Sequence, residues 1–368
     1  MSLKVCLSTP NTLTRPQGGH LWVFINWALG LRSCGCDVTW LDVAPPSISL
    51  DDLIAKVDIL RAALRPFGLD NNLVVDFLGE DPTHQLREAG LPSLETLGPF
   101  DLLVDLRYDL PQRLFLNFRR KVLINIDPGL YEQAVAGGGY PQPTHDLLFS
   151  IGESADKYNG RNWIYTQPCV YLDEWPFVEG ARDAPWTTVA HWWTPDTYYD
   201  SKREGFKPFM SIPSKVDTRF ELALSIGDKE EQERIESYGF TVHDPYKILT
   251  TTSAYRTFIQ KSAGEFSCAK PPYVKLQTAW VSDRTLCYLA TGRPCIVQNT
   301  GPSHFLPNNK GLHRFSDFNG AVKAFETVLA NYESESNEAR VLAEEFFDAH
   351  KVWRIAGAGL GITGDQPR

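Results

Sequence analysis

Ser282-Asp283-Arg284-Thr285-Leu286-Cys287-Tyr288-Leu289-Ala290-Thr291-Gly292-Arg293-Pro294, followed by Cys295-Ile296-Val297 and Gln298-Asn299-Thr300-Gly301, is the stretch that decides the fold. Ser282 or Asp283 suits an N-cap, because a short side-chain oxygen accepts the free amides of a first helical turn. Leu286, Leu289 and Ala290 recur at helical spacing, and Gly292 stands where a helix stops. Pro294 bars continuation, and Cys295–Val297 is short and apolar enough for a buried strand. The segment reads as loop, helix, turn and parallel strand. A helix N-terminus in such a unit attracts anions, with free amides and a positive dipole end. Arg284 in that first turn opposes the dipole unless a phosphate binds there. A sheet-packing helix with Arg284 in solvent is the competing reading.

The alternation extends outward in both directions. Strands are expected at Leu3–Leu7, Val38–Leu41, Leu73–Phe77, Asp101–Leu106, Val122–Ile126 and Asp146–Ile151. Helices are expected from His20 to Ser33 and from Asp51 to Leu64. Six strands joined by right-handed crossovers make a first doubly wound, parallel sheet. Pro168, Pro176 and Pro185 then interrupt regular structure. The pattern restarts with strands at Thr187–Trp192, Thr218–Leu224 and Phe240–Val242, and helices at Lys229–Tyr238, Ser253–Lys261, Asp317–Tyr332 and Glu335–Ile355. The fold class is α/β, with two doubly wound Rossmann-like domains facing across a cleft. The divisions are residues 1–165, a linker at 166–185, a second domain at 186–345, and a terminal helix at 346–368.

Totals narrow the function. The 368 residues suit two domains, and 43% hydrophobic with 22% charged residues is a globular composition. Thirty-six basic against 45 acidic residues leave a net charge of −9, which argues against a nucleic-acid partner. Seven scattered Cys match no zinc or disulfide framework and read as reduced thiols of a cytoplasmic protein. The apolar run Leu21–Leu31 contains Asn26 and is too short to span a bilayer, so no integral membrane segment is expected.

Open parallel sheets bind ligands beyond the carboxyl ends of their strands. Gly18-Gly19-His20 follows the first strand, where two glycines allow a ligand close to the backbone. His20 is a candidate general base if a carboxylate orients it, or else a capping or solvated histidine. Asp105 and Asp127 end later strands of that half and compete for the acidic role, each with loop capping as the alternative. In the second half Glu265 is a candidate for ribose or sugar hydroxyls and Lys270 for phosphate charge, with a solvated pair as the bland reading. Gln298, Asn299, Thr300 and Gly301 follow a strand, where side-chain amides read sugar hydroxyls or simply form a turn.

Taken together, the glycine-His loop in one half and the Asp-Arg-Thr helix in the other resemble the GT-B fold glycosyltransferases over about residues 3–357. Plant-type members carry a His-Cys-Gly-Trp-Asn-Ser run before a helix that ends in Gly-x-Pro. Laid on Gly292-Arg293-Pro294, that run covers Ala279–Arg284, with its phosphate-binding Asn and Ser on Asp283 and Arg284. No His matches, and the Glu that holds the donor ribose falls on Cys287. Trp280–Arg284 resembles the corresponding loop of a bacterial branch.

The resemblance implies sugar transfer from a nucleotide diphosphate donor, UDP- or dTDP-linked, to a small-molecule or glycan acceptor hydroxyl. The donor would be a co-substrate, with no cofactor and no metal. His20 would be the acceptor-activating base, Asp105 its orienting partner and Asp127 an acceptor contact. Gly18, Gly19, Glu265, Ser282, Asp283, Arg284, Thr285 and Gln298–Gly301 would surround the donor. Inverting and retaining outcomes both stay open. A nucleotide-sugar 2-epimerase of the same fold and a non-catalytic sugar-nucleotide binding protein are the rivals.

Overall fold

Short apolar runs punctuated by glycine and polar loops build two all-parallel sheets. A computed structural model describes residues 2–78, 86, 88–153, 163–193, 201–358 and 360. Residues 359 and 361–368 of the expected terminal helix lie outside the described residues.

The first sheet has seven strands in the order β3-β2-β1-β4-β5-β6-β7. They are β1 (Lys4–Ser8), β2 (Asp37–Ala44), β3 (Leu73–Phe77), β4 (Phe100–Asp105), β5 (Phe118–Asn125), β6 (Leu147–Ser150) and β7 (Trp163–Tyr165). Central strands such as β1 and β4 are buried along almost their whole length, as parallel strands covered on both faces must be. The second sheet runs β10-β9-β8-β11-β12-β13. Its strands are β8 (Trp186–His191), β9 (Phe220–Ser225), β10 (Phe240–His243), β11 (Gly264–Ser267), β12 (Cys295–Gln298) and β13 (Leu312–Phe315). Strand order reverses between β1 and β4 in one sheet and between β8 and β11 in the other. A ligand crevice is expected at each reversal.

Three strands escape the periodicity. β7 falls next to the proline-rich stretch. β11 is four residues long and carries Gly264, Glu265 and Ser267, so it reads as a loop. Gly264 is required there because a Cβ would meet the Trp186 ring at 2.5 Å. β13 presents His313 and Arg314, but His313 is buried against Glu335, with Nε2 2.8 Å from Oε2. The expected helix Glu335–Ile355 is two helices, Tyr332–Leu342 and Ala349–Ala358, broken where Val170 bridges to Asp348.

The helix Gly18–Ser33 is apolar on nearly every face because neighbours cover it all round. It packs against the terminal helix Ala349–Ala358, with Trp27 and Trp353 edge to face at 5.5 Å. Trp353 Nε1 also donates to the Trp27 carbonyl at 3.1 Å. Leu286, Leu289 and Tyr255 of the second half join the same core. Among the described residues no helix is long and apolar enough to cross a membrane.

Candidate functional site

The loop that follows β1 and the carboxyl end of β8 look into one cleft of about 280 Å3. The helix Asp283–Ala290 opens into it. Ser282 is the N-cap residue, but its side chain makes no capping bond, so the first-turn amides keep their capacity for a ligand. Gly292 ends the helix with φ +75°, as its position in the sequence requires.

Arg284 does not point to solvent. Its Nε donates to Glu265 Oε1 at 2.7 Å, one terminal nitrogen to the Val189 carbonyl at 2.9 Å, and the other to Ser267 Oγ at 2.8 Å. Val189 belongs to β8 and Ser267 to β11, so the guanidinium spans the reversal point of the second sheet. Glu265 is fully buried beneath it. The expected contact of Glu265 with donor hydroxyls is therefore corrected: its carboxylate anchors Arg284 and is shut off from the cleft.

Lys202 is a second cation near Arg284, lining a small pocket next to the cleft rather than the cleft itself. It is buried, and its Nζ donates to the same Ser267 Oγ at 3.2 Å. Burial pushes its ammonium down to about 7, with repulsion from Arg284 adding to the effect. Because the unfolded chain binds that proton up to a higher pH, Lys202 contributes stability that rises between about pH 7 and 10.5. Urea unfolding across that range should show the slope, and Lys202→Met should flatten it. Lys202 stands in the charged stretch Lys202-Arg203-Glu204, which reads as a solvated face, so periodicity gave no signal for it.

On the opposite wall, Gly18 and Gly19 begin their helix under the second half. Gly18 has φ +40°, and a Cβ on Gly19 would lie 2.6 Å from the Tyr255 ring. Glycine here serves close approach of the two halves. His20 stands next in the wall. Its Nε2 is 2.8 Å from the Pro10 carbonyl, and since a carbonyl only accepts, Nε2 carries the proton and Nδ1 the lone pair. Burial lowers its pKa to about 4, and Arg15 and His191 add to that lowering.

The expected pairing of His20 with Asp105 is not formed. Asp105 is fully buried at the end of β4, 3.0 Å from His145 Nε2, and also accepts the Arg107 amide at 2.9 Å. Asp127 is likewise elsewhere: Tyr273 OH donates to it at 2.6 Å across the halves, beside a Tyr273–Trp280 stack at 4.1 Å. That contact takes the place of an acceptor contact.

Asp283 lines the cleft, and its Oδ1 is buried without a hydrogen-bond partner. Burial and then Asp127 push its carboxyl up to about 7. Thr285 is buried in the same turn. Gln298 Oε1 accepts the Ala269 amide at 3.0 Å, and Thr300 Oγ donates to the Trp280 carbonyl at 2.6 Å. Asn299 Oδ1 accepts the Gly301 amide at 3.0 Å, an Asx-type turn. None of the four lines the cleft, but Gln298 and Thr300 line a smaller neighbouring pocket with Lys202, Ser282, Arg284 and Thr285. His191, Tyr246 and Arg15 do line it, at the carboxyl end of β8, in the short helix Pro245–Ile248 after β10, and in the loop after β1. The carboxyl-end rule points to His191 from sequence. Among the described residues no group of three or more His, Cys, Asp or Glu is arranged to hold a metal ion.

No protein-family model and no curated protein matches the sequence. Solved structures match it along almost its whole length. Anabaena HepE, solved in complex with UDP-glucose, superposes with a TM-score of 0.60 at 8% identity, covering 98% of this chain and 99% of that one. An alpha-glucosyltransferase solved with UDP and a DNA containing an HMU base gives 0.59 at 11%, with 98% and 99% covered. AviGT4, a glycosyltransferase of avilamycin A biosynthesis, gives 0.57 at 12%, with 97% and 96% covered. Two doubly wound halves meeting across a cleft, shared with these structures from end to end, give this chain the GT-B fold.

Proposed function

We propose that the chain transfers a sugar from a nucleotide diphosphate donor to an acceptor hydroxyl. The observation that carries the reading is Arg284, held across the β8/β11 reversal point by a fully buried carboxylate and joined by buried Lys202. Two sequestered cations at a helix N-terminus with an uncapped first turn suit a diphosphate, and their charge stabilises the departing nucleotide. UDP is the favoured nucleotide, because HepE and the alpha-glucosyltransferase are solved with it. Tyr246, Pro245 and Leu249 offer an apolar wall for the base. Residues 186–345 would hold the donor and residues 1–165 the acceptor, with 166–185 joining them. The acceptor is a glycan or a small molecule.

His20 is the proposed base. A diphosphate beside it favours the imidazolium, so proton uptake through Nδ1 becomes easier as the donor binds. His20→Ala should lower kcat by about 10²- to 10⁴-fold. Asp105→Asn, which touches His145 and the Arg107 amide but not His20, should leave kcat close to wild type. Equal losses in both variants would restore a His20–Asp105 partnership. Incubating UDP-glucose with and without acceptor then tests the class of reaction. Acceptor-dependent product supports transfer, and an epimerised donor formed without acceptor contradicts it.

A further inference from the structure

We propose that Asp42 is the positioning residue for His20, acting through the loop Thr9–Leu13. Asp42 lies in β2, is fully buried, and pairs with buried Arg107, whose Nη1 is 3.3 Å from Oδ1. Its Oδ2 accepts Thr12 Oγ at 2.8 Å and the Leu13 amide at 2.5 Å, and its Oδ1 also accepts the Val43 amide at 2.7 Å. Thr12 Oγ is shared further, accepting Trp40 Nε1 at 3.2 Å and lying 3.0 Å from Thr9 Oγ. Pro10 sits between these two pinned threonines. Proline has no amide proton, so its carbonyl is its whole hydrogen-bonding capacity, and that carbonyl accepts His20 Nε2. Asn11, at φ +58°, turns the chain so that the Arg15 amide closes onto the Asn11 carbonyl at 2.9 Å. One buried carboxylate thereby fixes the loop, the carbonyl and the tautomer of the histidine.

The arrangement does by a relay what a carboxylate bonded to the ring would do directly. Asp42→Asn keeps the shape but turns one acceptor into a donor facing the Thr12 and Leu13 donors. The loop then releases Pro10, and the ring loses its anchor. Groups facing the ring otherwise stay in place: Arg15, His191 and the edge of Phe24 at 5.2 Å.

The test is long-range 1H–15N spectroscopy of the histidine-labelled full chain, titrated from pH 3 to 8. Wild type should show one tautomer with the proton on Nε2. In Asp42→Asn, His20 should show mixed tautomers and a titration midpoint moved further below about 4, because the Pro10 carbonyl that is lost favours the imidazolium while burial, Arg15 and His191 still oppose it. Thr12→Val should move both readouts the same way, and it decides the matter should Asp42→Asn fail to fold. Asp76→Asn, which removes a similarly buried carboxylate on β3, should leave the His20 signals unchanged. Unchanged tautomer and midpoint in Thr12→Val, or an equal change in Asp76→Asn, would overturn the proposal. Its catalytic consequence rests on the transfer reading above: kcat should fall on the order of 10²-fold with donor KM unchanged. Absence of any transfer by wild type would sink that reading while leaving the spectra to decide this one.

Discussion

Arg284→Ala should abolish nucleotide diphosphate binding and cost about 3–5 kcal/mol of stability, the usual penalty for breaking a buried pair. The loss is large because Glu265 stays behind, fully buried, with its Oε2 already lacking a partner. The Val189 carbonyl loses the guanidinium donor at the same moment, and Ser267 Oγ is left with Lys202 alone. Arg284→Met combined with Glu265→Leu removes both charges and should recover most of the stability, because desolvation of the pair offsets much of its attraction. Donor affinity should not return in that double variant. Urea unfolding and titration calorimetry on the three proteins separate the two effects. Full stability in Arg284→Ala would mean that the Arg284–Glu265 pair adds nothing net to the fold.

Trp353→Ala should cost about 3–5 kcal/mol, the range for truncating a buried Trp. The ring is 1% exposed, packs edge to face on Trp27 and covers Gly30, where a Cβ would come within 2.7 Å of it. Removing it leaves a cavity between the terminal helix and the helix that begins at Gly18. Because that second helix carries Gly18, Gly19 and His20, kcat should fall along with stability. Ile355, on the same terminal helix, is 71% exposed and serves as the control. Ile355→Ala should change stability by no more than about 0.5 kcal/mol. Similar losses in both variants would show that the terminal helix adds stability without buttressing the cleft.

Periodicity made the architecture legible because parallel strands buried on both faces are written as continuous apolar runs. The helix Asp283–Ala290, its stop at Gly292 and β12 were all readable in this way. β11 was not, since its Gly264 and Glu265 answer to tertiary partners, Trp186 and Arg284, that no local pattern records. Arg284 could be located from its place in a first turn. Its orientation could not, because that depends on Glu265 nineteen residues earlier and on Val189 ninety-five residues earlier. Asp105 reads as an orienting acid because it ends a strand at the sheet edge of the glycine-His loop and because the GT-B resemblance implies that role. A strand end fixes where a carboxylate emerges but not which partner reaches it, and His145 reaches Asp105 first. For His20 the orienting group is a main-chain carbonyl, which has no sequence signature at all.

The most direct test of the account is calorimetric titration of wild type at pH 7 with UDP, dTDP, GDP, ADP and CMP, adding UMP for comparison. A diphosphate site predicts that one nucleoside diphosphate, UDP foremost, binds at least about tenfold more tightly than its monophosphate, a gap of about 1.4 kcal/mol. Affinity should weaken above about pH 7, as Lys202 loses its proton. Equal binding of UDP and UMP, or no binding by any nucleotide, would contradict it.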